Sequence, residues 1–191
     1  MQDMTEIRWH ARAGQGAVTA SKLLAETALL NGEYIQAMPE YGPERTGAPL
    51  RAYSRISSKP IEVHNNITHP NIVVVLDETL LSIVEVLEGI VEGGTVIINT
   101  KNSVDEARAA LNASADIKVA VVDASGIALD TLKRDLPNTP IVGALAQATQ
   151  CVTVEAFKEN LLETFGKKFT KEVVDANLAS VDRAASEVVV G

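Results

Sequence analysis

The chain has 191 residues, of which 46% are hydrophobic and 22% are charged, and its formal net charge is -8. This length suits one well-buried domain over residues 1–191 and is short for two domains. The negative charge and the aromatic content of 4% argue against a nucleic-acid-binding protein, because such proteins present basic faces and stacking aromatic rings.

The sequence also bears on location and on metal cofactors. No apolar run approaches the roughly 18 residues that a membrane span needs, and no signal peptide opens the chain, so we expect a cytoplasmic protein without a membrane partner. The single cysteine, Cys151, suits a reducing compartment and cannot supply the four thiolates of an iron–sulfur cluster. The three histidines lack metal-ligand spacing, so we expect no metal site.

The first third of the chain alternates strands with one helix. Strands are predicted at residues 7–10, 34–38 and 50–56, and a helix over Ala17–Leu30. The turn Gly14-Gln15-Gly16 precedes this helix, and Asn31-Gly32 ends it. Because residues 50–56 alternate polar and apolar side chains, the third strand is predicted at a sheet edge with one face in water.

The middle third predicts parallel strands with helices between them. Short β-branched runs predict buried strands at residues 72–77, 95–99 and 118–123. Helices are predicted at residues 79–91 and Val104–Leu111. Ser103 and Glu106 predict a capping box at the start of the second of these helices, where each side chain bonds the other residue's backbone amide. This spacing of strands is typical of βαβ units.

The last third predicts helices alone. A short helix is predicted at residues 127–134, and a second begins with Thr139 as N-cap and Pro140 at its first position. Thr153 is predicted to cap a helix over residues 154–164. The last helix, over residues 171–189, is predicted from its apolar spacing. The stripes predicted to be buried on these last two helices are Phe157, Leu161 and Leu162, and then Val174, Leu178, Val181, Ala185 and Val188.

Together the elements predict an α/β fold: a three-layer α/β/α single domain with a mostly parallel sheet and a helical C-terminal third. In such a fold, ligands gather at the carboxyl ends of the strands. The turn Gly14-Gln15-Gly16 lies there and could bind an anion at a helix N-terminus, or could be purely structural. A dinucleotide fingerprint would require a third glycine where the chain has Thr19.

Polar residues that end strands are further candidates at the same edge. Asp77, Asn99 and Asp123 end the three buried strands, and each could instead cap the helix that follows. His10 also ends a strand, and could pair with a carboxylate or be a packed ring.

The segment YGPERTGAP, residues 41–49, joins the second strand to the third near this edge. Its prolines and glycines predict a stiff polar loop. Arg45 could bind an anion or a partner's carboxylate, Glu44 and Arg45 could pair locally, or the loop could be a solvated connection.

Four collinear motifs resemble one family, the gamma subunits of 2-oxoacid:ferredoxin oxidoreductases, and most of all those of pyruvate:ferredoxin oxidoreductase (pyruvate synthase). The motifs are IRWHARAGQGAVTASKLLAE (7–26), MPEYGPERTGAPLRAYSRI (38–56), VVVLDETLL (73–81) and LPNTPIVGALAQAT (136–149). The similarity continues through FGKKF (165–169) and VVDAN (173–177), so it covers nearly the whole chain.

The resemblance implies a division of labour among subunits. In this family, pyruvate, coenzyme A and oxidised ferredoxin give acetyl-CoA, CO2 and reduced ferredoxin. The alpha and beta subunits hold thiamine diphosphate with Mg2+, and the delta subunit holds [4Fe–4S] clusters. The resemblance implies that this chain binds none of these cofactors alone and has no catalytic residues. It implies a chain that packs on the catalytic subunits and shapes the path of coenzyme A.

The residues that we expect to contact coenzyme A or a neighbouring subunit are Gly14, Gln15, Gly16, Arg45 and Thr46. Two other functions stay open. One is a gamma subunit of a sister enzyme for 2-oxoglutarate, branched-chain 2-oxoacids or indolepyruvate. The other is a stand-alone nucleotide-binding module that uses the glycine turn.

Overall fold

Seven strands pair into one sheet in the structure, a computed structural model that describes residues 4–40 and 47–191. The strands are β1 Met4–Arg12, β2 Tyr34–Glu40, β3 Pro49–Ser57, β4 Ile72–Val75, β5 Thr95–Asn99, β6 Lys118–Val122 and β7 Val189–Val190. Their order across the sheet is β2-β3-β1-β4-β5-β6-β7. Neighbours β1, β4, β5 and β6 are parallel, whereas β3 is antiparallel to β1 and β2, and β7 is antiparallel to β6. Every strand except β3 and β7 therefore runs in one direction, which confirms the mostly parallel sheet.

Helices cover both faces of this sheet among the described residues. They are α1 Ala17–Leu30, α2 Val104–Leu111, α3 Ala124–Leu132, α4 Asn138–Thr149, α5 Val154–Gly166 and α6 Lys171–Glu187, with a 3-10 helix at Glu78–Ser82. The first face carries α1 and α3 to α6 around a large apolar core, in which Trp9 and Phe157 are fully buried. The second face carries α2 and the segment 83–94 over a smaller core. This arrangement confirms the three-layer α/β/α fold and the helical last third.

Local signals in the sequence position several helices. The Ser103 hydroxyl accepts a hydrogen bond from the Glu106 amide, and the Glu106 carboxylate accepts one from the Ser103 amide, which confirms the capping box of α2. Thr153 caps α5 as predicted, because its side chain accepts a hydrogen bond from the Ala156 amide at 3.1 Å. α1 has the predicted bounds.

The prediction of a helix over residues 79–91 is wrong. Only the 3-10 helix Glu78–Ser82 forms there, and turns follow it. The backbone carbonyls of Val86 and Glu88 accept hydrogen bonds from the buried Arg8 guanidinium, at 2.9 and 2.6 Å. Gly89 has φ +69°, and a Cβ there would lie 2.1 Å from the Thr68 carbonyl oxygen. The segment therefore follows its tertiary contacts rather than its helical apolar spacing.

The third strand is not at the edge of the sheet, which corrects a second prediction. β3 lies between β2 and β1, and residues 52–57 are buried. Its polar positions are tolerated because they are paired. Arg55, which is 1% exposed, donates hydrogen bonds to Glu6 Oε1 at 2.7 Å and to Gln36 Oε1 at 2.9 Å. The edge on this side of the sheet is β2.

Three predictions in the last third are also wrong. Helix α4 begins at Asn138 with Pro137 in the N-cap position, so Thr139 is a buried residue of the first turn and not the cap. Pro140 is tolerated in this turn because its amide would have no intrahelical partner. Leu162 is 54% exposed and lies outside the buried stripe of α5. α6 ends at Glu187, because Val189–Val190 pair with β6.

The burial predicted for α6 is only partly correct. Val174 and Val181 are buried, whereas Leu178, Ala185 and Val188 are half-buried, and Ala184 takes the fully buried position beside them. Within residues 4–40 and 47–191, no helix has the length and apolar character that crossing a bilayer requires.

Candidate functional site at the carboxyl edge of the sheet

The glycine turn between β1 and α1 adopts backbone conformations that other residues rarely take. Gly14 has φ +104° and Gly16 has φ +83°. Gly16 is the residue immediately before α1, and its carbonyl accepts the hydrogen bond from the Ala20 amide at 2.9 Å. A Cβ on Gly16 would lie 3.0 Å from the side chain of Asn138, at the start of α4. Glycine at position 16 therefore allows both the left-handed turn and the close approach of α4.

The side chain of Gln15 ties this turn to the neighbouring parallel strand. Its Oε1 accepts a hydrogen bond from the Arg12 amide at 2.8 Å, and its Nε2 donates one to Asp77 Oδ2 at 2.9 Å. Burial by itself raises the pKa of Asp77, but hydrogen bonds from Thr79 and Gln15 and the charge of Arg12 outweigh it, so the pKa is lowered. The Asp77 carboxylate therefore accepts hydrogen bonds from the glycine turn, through Gln15, and from the 3-10 helix, through Thr79.

Arg12 holds Gly47, the first described residue after position 46, at the same place. Its Nε lies 3.3 Å from Asp77 Oδ2, its Nη2 donates to Thr79 Oγ1 at 2.8 Å, and its Nη1 donates to the Gly47 carbonyl at 3.0 Å. The backbone of Ala13 exchanges hydrogen bonds with Gly47 and Ala48. The glycine turn and the residue that follows Thr46 are therefore held together by one arginine. Arg45 and Thr46 themselves lie outside the described residues.

The strand-ending polar residues link elements at this edge. Asp77 caps the 3-10 helix and Asp123 caps α3 through the Gly126 amide at 2.8 Å, which confirms the capping interpretation for both residues. Asn99 accepts a hydrogen bond from the Ser125 amide and donates to the Leu76 carbonyl. All three side chains have protein partners.

His10 is a packed ring whose hydrogen-bond partner among the described residues is Arg8 and not a carboxylate. It is 2% exposed, and its Nε2 accepts a hydrogen bond from Arg8 Nε at 3.1 Å. Burial, and after it the positive charges of Arg8 and Arg51, together lower the pKa of His10 to about 3. The ring is therefore neutral at physiological pH.

A cavity of about 220 Å³ lies beside this histidine, and the sequence analysis did not identify it. Its lining residues are His10, Glu40, Pro49, Leu50, Arg51, Leu80 and Val84. A signal was present in the sequence: Glu6, Arg8 and His10 alternate along β1, and Arg51, Tyr53 and Arg55 alternate along β3. In a sheet this alternation places polar side chains on a common face.

The donor side chains of the described residues do not form a metal or cluster site. In the part of the chain that the structure describes, no group of three or more His, Cys, Asp or Glu side chains is arranged to hold a metal ion. Cys151 packs against the main core, and burial raises the pKa of its thiol to about 11. One protonated thiol does not fit an iron–sulfur cluster, which is held by thiolates.

The fold and this edge define a class: an α/β domain in which hydrogen bonds join the glycine turn to Asp77 at the end of a neighbouring strand and to Gly47. A family profile described as pyruvate ferredoxin/flavodoxin oxidoreductase matches residues 6–187, and the chain belongs to this family. The resemblance drawn from the sequence motifs is thereby confirmed.

Relatives match over nearly their whole length. Pyruvate synthase subunit PorC of Thermotoga maritima is 49% identical over 183 residues, which cover 96% of this chain and 94% of that protein. The common subunit gamma of the pyruvate/ketoisovalerate oxidoreductases of Thermococcus litoralis is 47% identical and covers 91% of this chain and 95% of its own.

Solved structures show the same fold. The crystal structure of pyruvate oxidoreductase subunit PORC from Thermotoga maritima superposes with a TM-score of 0.88 at 44% identity, over 100% of this chain and 99% of that one. A 2-oxoglutarate:ferredoxin oxidoreductase from Magnetococcus marinus, with 2-oxoglutarate, coenzyme A and succinyl-CoA bound, has a TM-score of 0.77 at 18% identity. It covers 97% of this chain but 31% of that longer chain, so it supports the fold alone.

Proposed function

We propose that this chain is the gamma-type subunit of a pyruvate:ferredoxin oxidoreductase, which converts pyruvate, coenzyme A and oxidised ferredoxin to acetyl-CoA, CO2 and reduced ferredoxin. The observation that carries this proposal is the near full-length match to a pyruvate synthase subunit, at 49% identity over 96% of the chain. Similarity of this extent covers the core, both sheet faces and the edge that holds the glycine turn.

The proposed role within the complex is structural. Thiamine diphosphate, Mg2+ and [4Fe–4S] clusters belong to the alpha, beta and delta subunits, and ferredoxin is reached through the complex. The proposal is supported by the chain's single cysteine, since a [4Fe–4S] cluster needs four thiolates. We also propose that residues 1–191 form one domain and that the complex is cytoplasmic, where a lone cysteine stays reduced.

We propose that one edge of the sheet makes the contact with a catalytic subunit or with coenzyme A. Its residues are Gly14, Gln15, Gly16, Arg45 and Thr46. Support comes from the hydrogen bonds that fix this edge, because Arg12 bonds the Gly47 carbonyl and Gln15 bonds Asp77. The described part of this surface, from the glycine turn to Gly47, is held by these bonds before association, and a preorganised surface loses little conformational entropy on binding. An arginine in such a loop suits a phosphate or a partner's carboxylate.

The test of this contact is reconstitution of the complex with Arg45→Ala. Loss of an intersubunit ion pair would reduce co-purification of the subunits, and loss of a phosphate contact would raise the KM for coenzyme A. Arg183→Ala is the matched control, because Arg183 lies on α6 and pairs with Asp130 and Glu187 of the same chain. If Arg45→Ala matches both wild type and the control in both measurements, this role for Arg45 is excluded.

A second candidate is a gamma subunit shared between a pyruvate enzyme and a branched-chain 2-oxoacid enzyme. The observation that favours it is the 47% identity to the common subunit gamma of the Thermococcus litoralis pyruvate/ketoisovalerate oxidoreductases. Affinity purification of the tagged chain from its own cells distinguishes the two. One set of catalytic subunits supports a dedicated pyruvate enzyme, and two sets support a shared subunit.

A further inference from the structure

The cavity beside His10 lies between the sheet and the segment that carries Leu80 and Val84, within and just after the 3-10 helix. β1, β3 and β2 supply its polar wall through the cross-strand neighbours His10, Arg51 and Glu40. Leu50, Leu80 and Val84 supply apolar wall. The cavity volume of about 220 Å³ is roughly seven times the ~30 Å³ that one water molecule occupies in the liquid. The cavity therefore has room for a small organic group.

The hydrogen bond to Arg8 determines which nitrogen of His10 carries the proton. An arginine Nε–H can only donate, so His10 Nε2 must accept, and the neutral ring holds its proton on Nδ1. No protein acceptor for Nδ1 is recorded among the described residues. His10 therefore contributes a free N–H donor to the wall of the cavity.

Arg51 is the cation and Glu40 the carboxylate among the described residues that line the cavity, whereas Arg8 bonds the His10 ring from outside the lining. Arg8 donates to two backbone carbonyls, and neither arginine has a carboxylate within ion-pair distance among residues 4–40 and 47–191. The Tyr53 hydroxyl links the side chains of Arg51 and Glu40, because it donates a hydrogen bond to Glu40 Oε2 at 2.6 Å and is also hydrogen-bonded to Arg51. Among the described residues, the charged and titratable side chains near the His10 ring are Arg8, Arg51, Tyr53, Glu40 and Glu88.

We propose that this cavity binds a small aliphatic carboxylate. The carboxylate group lies between the Arg51 guanidinium and the Nδ1–H of His10, and the aliphatic part lies against Leu50, Leu80 and Val84. A carboxylate is the ligand that accepts from two such donors and also offsets the charge of Arg51. This inference rests on the geometry of the chain alone and does not depend on the proposed function.

The probe is propionate, with 1-propanol as the uncharged molecule of similar shape. The readout is the NMR spectrum of the full chain with isotope-labelled histidine, in which the exposed His64 and His69 are internal controls. We expect saturable shifts of the His10 signals alone, and about tenfold tighter binding of propionate than of 1-propanol, as two charge-assisted bonds would give. Absence of a saturable shift, or equal binding of the two probes, would overturn the proposal.

Variants assign the binding to the proposed donors. Arg51→Gln is expected to weaken propionate binding about tenfold, whereas Arg183→Gln on α6 leaves it unchanged. Equal affinity of wild type and Arg51→Gln would contradict the proposed site. If Arg51→Gln does not fold, Arg51→Lys replaces it, and a several-fold loss is expected because a point charge replaces a planar bidentate donor.

A carboxylate can come from a free small molecule or from an acidic side chain of a partner subunit. Competition separates these two sources. If a partner's side chain enters the cavity, propionate will weaken assembly of the wild-type complex; if the ligand is a free acid, the complex will assemble equally with and without propionate and will still bind it. A complex that neither binds propionate nor is weakened by it would overturn the proposal for the assembled protein.

Discussion

Replacing Arg55 with methionine tests whether the polar face of the sheet is held together by one buried arginine. Arg55 is 1% exposed and donates to Glu6 at 2.7 Å and Gln36 at 2.9 Å. It also makes two longer hydrogen bonds of 3.4 Å, to the Val63 carbonyl and to Asn65. Methionine retains the apolar stem but provides none of these donors. The loop before β4 would lose its link to β3.

The expected loss follows from these contacts. A hydrogen bond to a charged group contributes about 1.5–3 kcal/mol, and breaking a buried ion pair costs about 3–5 kcal/mol. Glu6 retains 20% side-chain exposure and can be partly rehydrated, so we expect a loss of about 3–4 kcal/mol rather than the upper limit. This is a large part of the roughly 5–15 kcal/mol by which domains are stable.

Urea denaturation followed by circular dichroism measures this effect. With a slope of about 2–3 kcal/mol per molar for a chain of this size, the midpoint should fall by about 1–2 M while the slope stays constant. Arg183→Met is the matched control, because Arg183 makes its ion pairs on the surface and the midpoint should barely move. A loss below about 1 kcal/mol for Arg55→Met would refute the reasoning.

Three further predictions concern the turn, the buried histidine and the domain. Gly16→Ala should destabilise the chain by about 1–2 kcal/mol through its positive φ and its approach to Asn138, whereas Gly166→Ala in α5 should be neutral or stabilising by thermal unfolding. Folding lowers the pKa of His10 to about 3, so below pH 6.5 the unfolded chain binds more protons than the folded chain. The free energy of unfolding should therefore fall by about 3 kcal/mol between pH 7 and pH 4.5. His10→Gln should remove this part of the pH dependence. Residues 1–191 should unfold in one transition with a calorimetric to van't Hoff enthalpy ratio of about one, and two transitions would exclude a single domain.

Features set by neighbouring residues could be predicted from the sequence. Ser103 and Glu106 act within one helical turn, and so do Thr153 and Ala156, so both caps were predicted correctly. The buried runs at β4, β5 and β6 were also found, because their β-branched residues leave no polar face.

Features set by distant residues could not be predicted in this way. The helix expected over residues 79–91 is absent, and the carbonyls of Val86 and Glu88 bond Arg8, which is about eighty positions away in the chain. β3 was predicted at an edge because residues 50–56 alternate polar and apolar side chains, whereas the partners of Arg55, Glu6 and Gln36, come from two other strands. The cavity beside His10 has the same origin, since three strands and the 3-10 helix form its wall.

The candidate edge was predicted in part. The order of elements correctly placed the turn of Gly14, Gln15 and Gly16 at the carboxyl end of β1. In parallel sheets, ligands bind at this end of the strands. The bond from Gln15 to Asp77 and the bond from Arg12 to Gly47 join separate segments and were not predicted. The contacts with coenzyme A or a neighbouring subunit that are proposed for Gly14, Gln15, Gly16, Arg45 and Thr46 stay predictions.

The central claim is that this chain is a companion subunit, and reconstitution measures it directly. The proposed alpha, beta and delta subunits are assembled with and without the purified chain, and reduction of ferredoxin by pyruvate and coenzyme A is followed. Assembly and turnover should depend on the chain, and the chain alone should reduce no ferredoxin. Turnover by the chain alone, or equal assembly and turnover without it, would contradict this account.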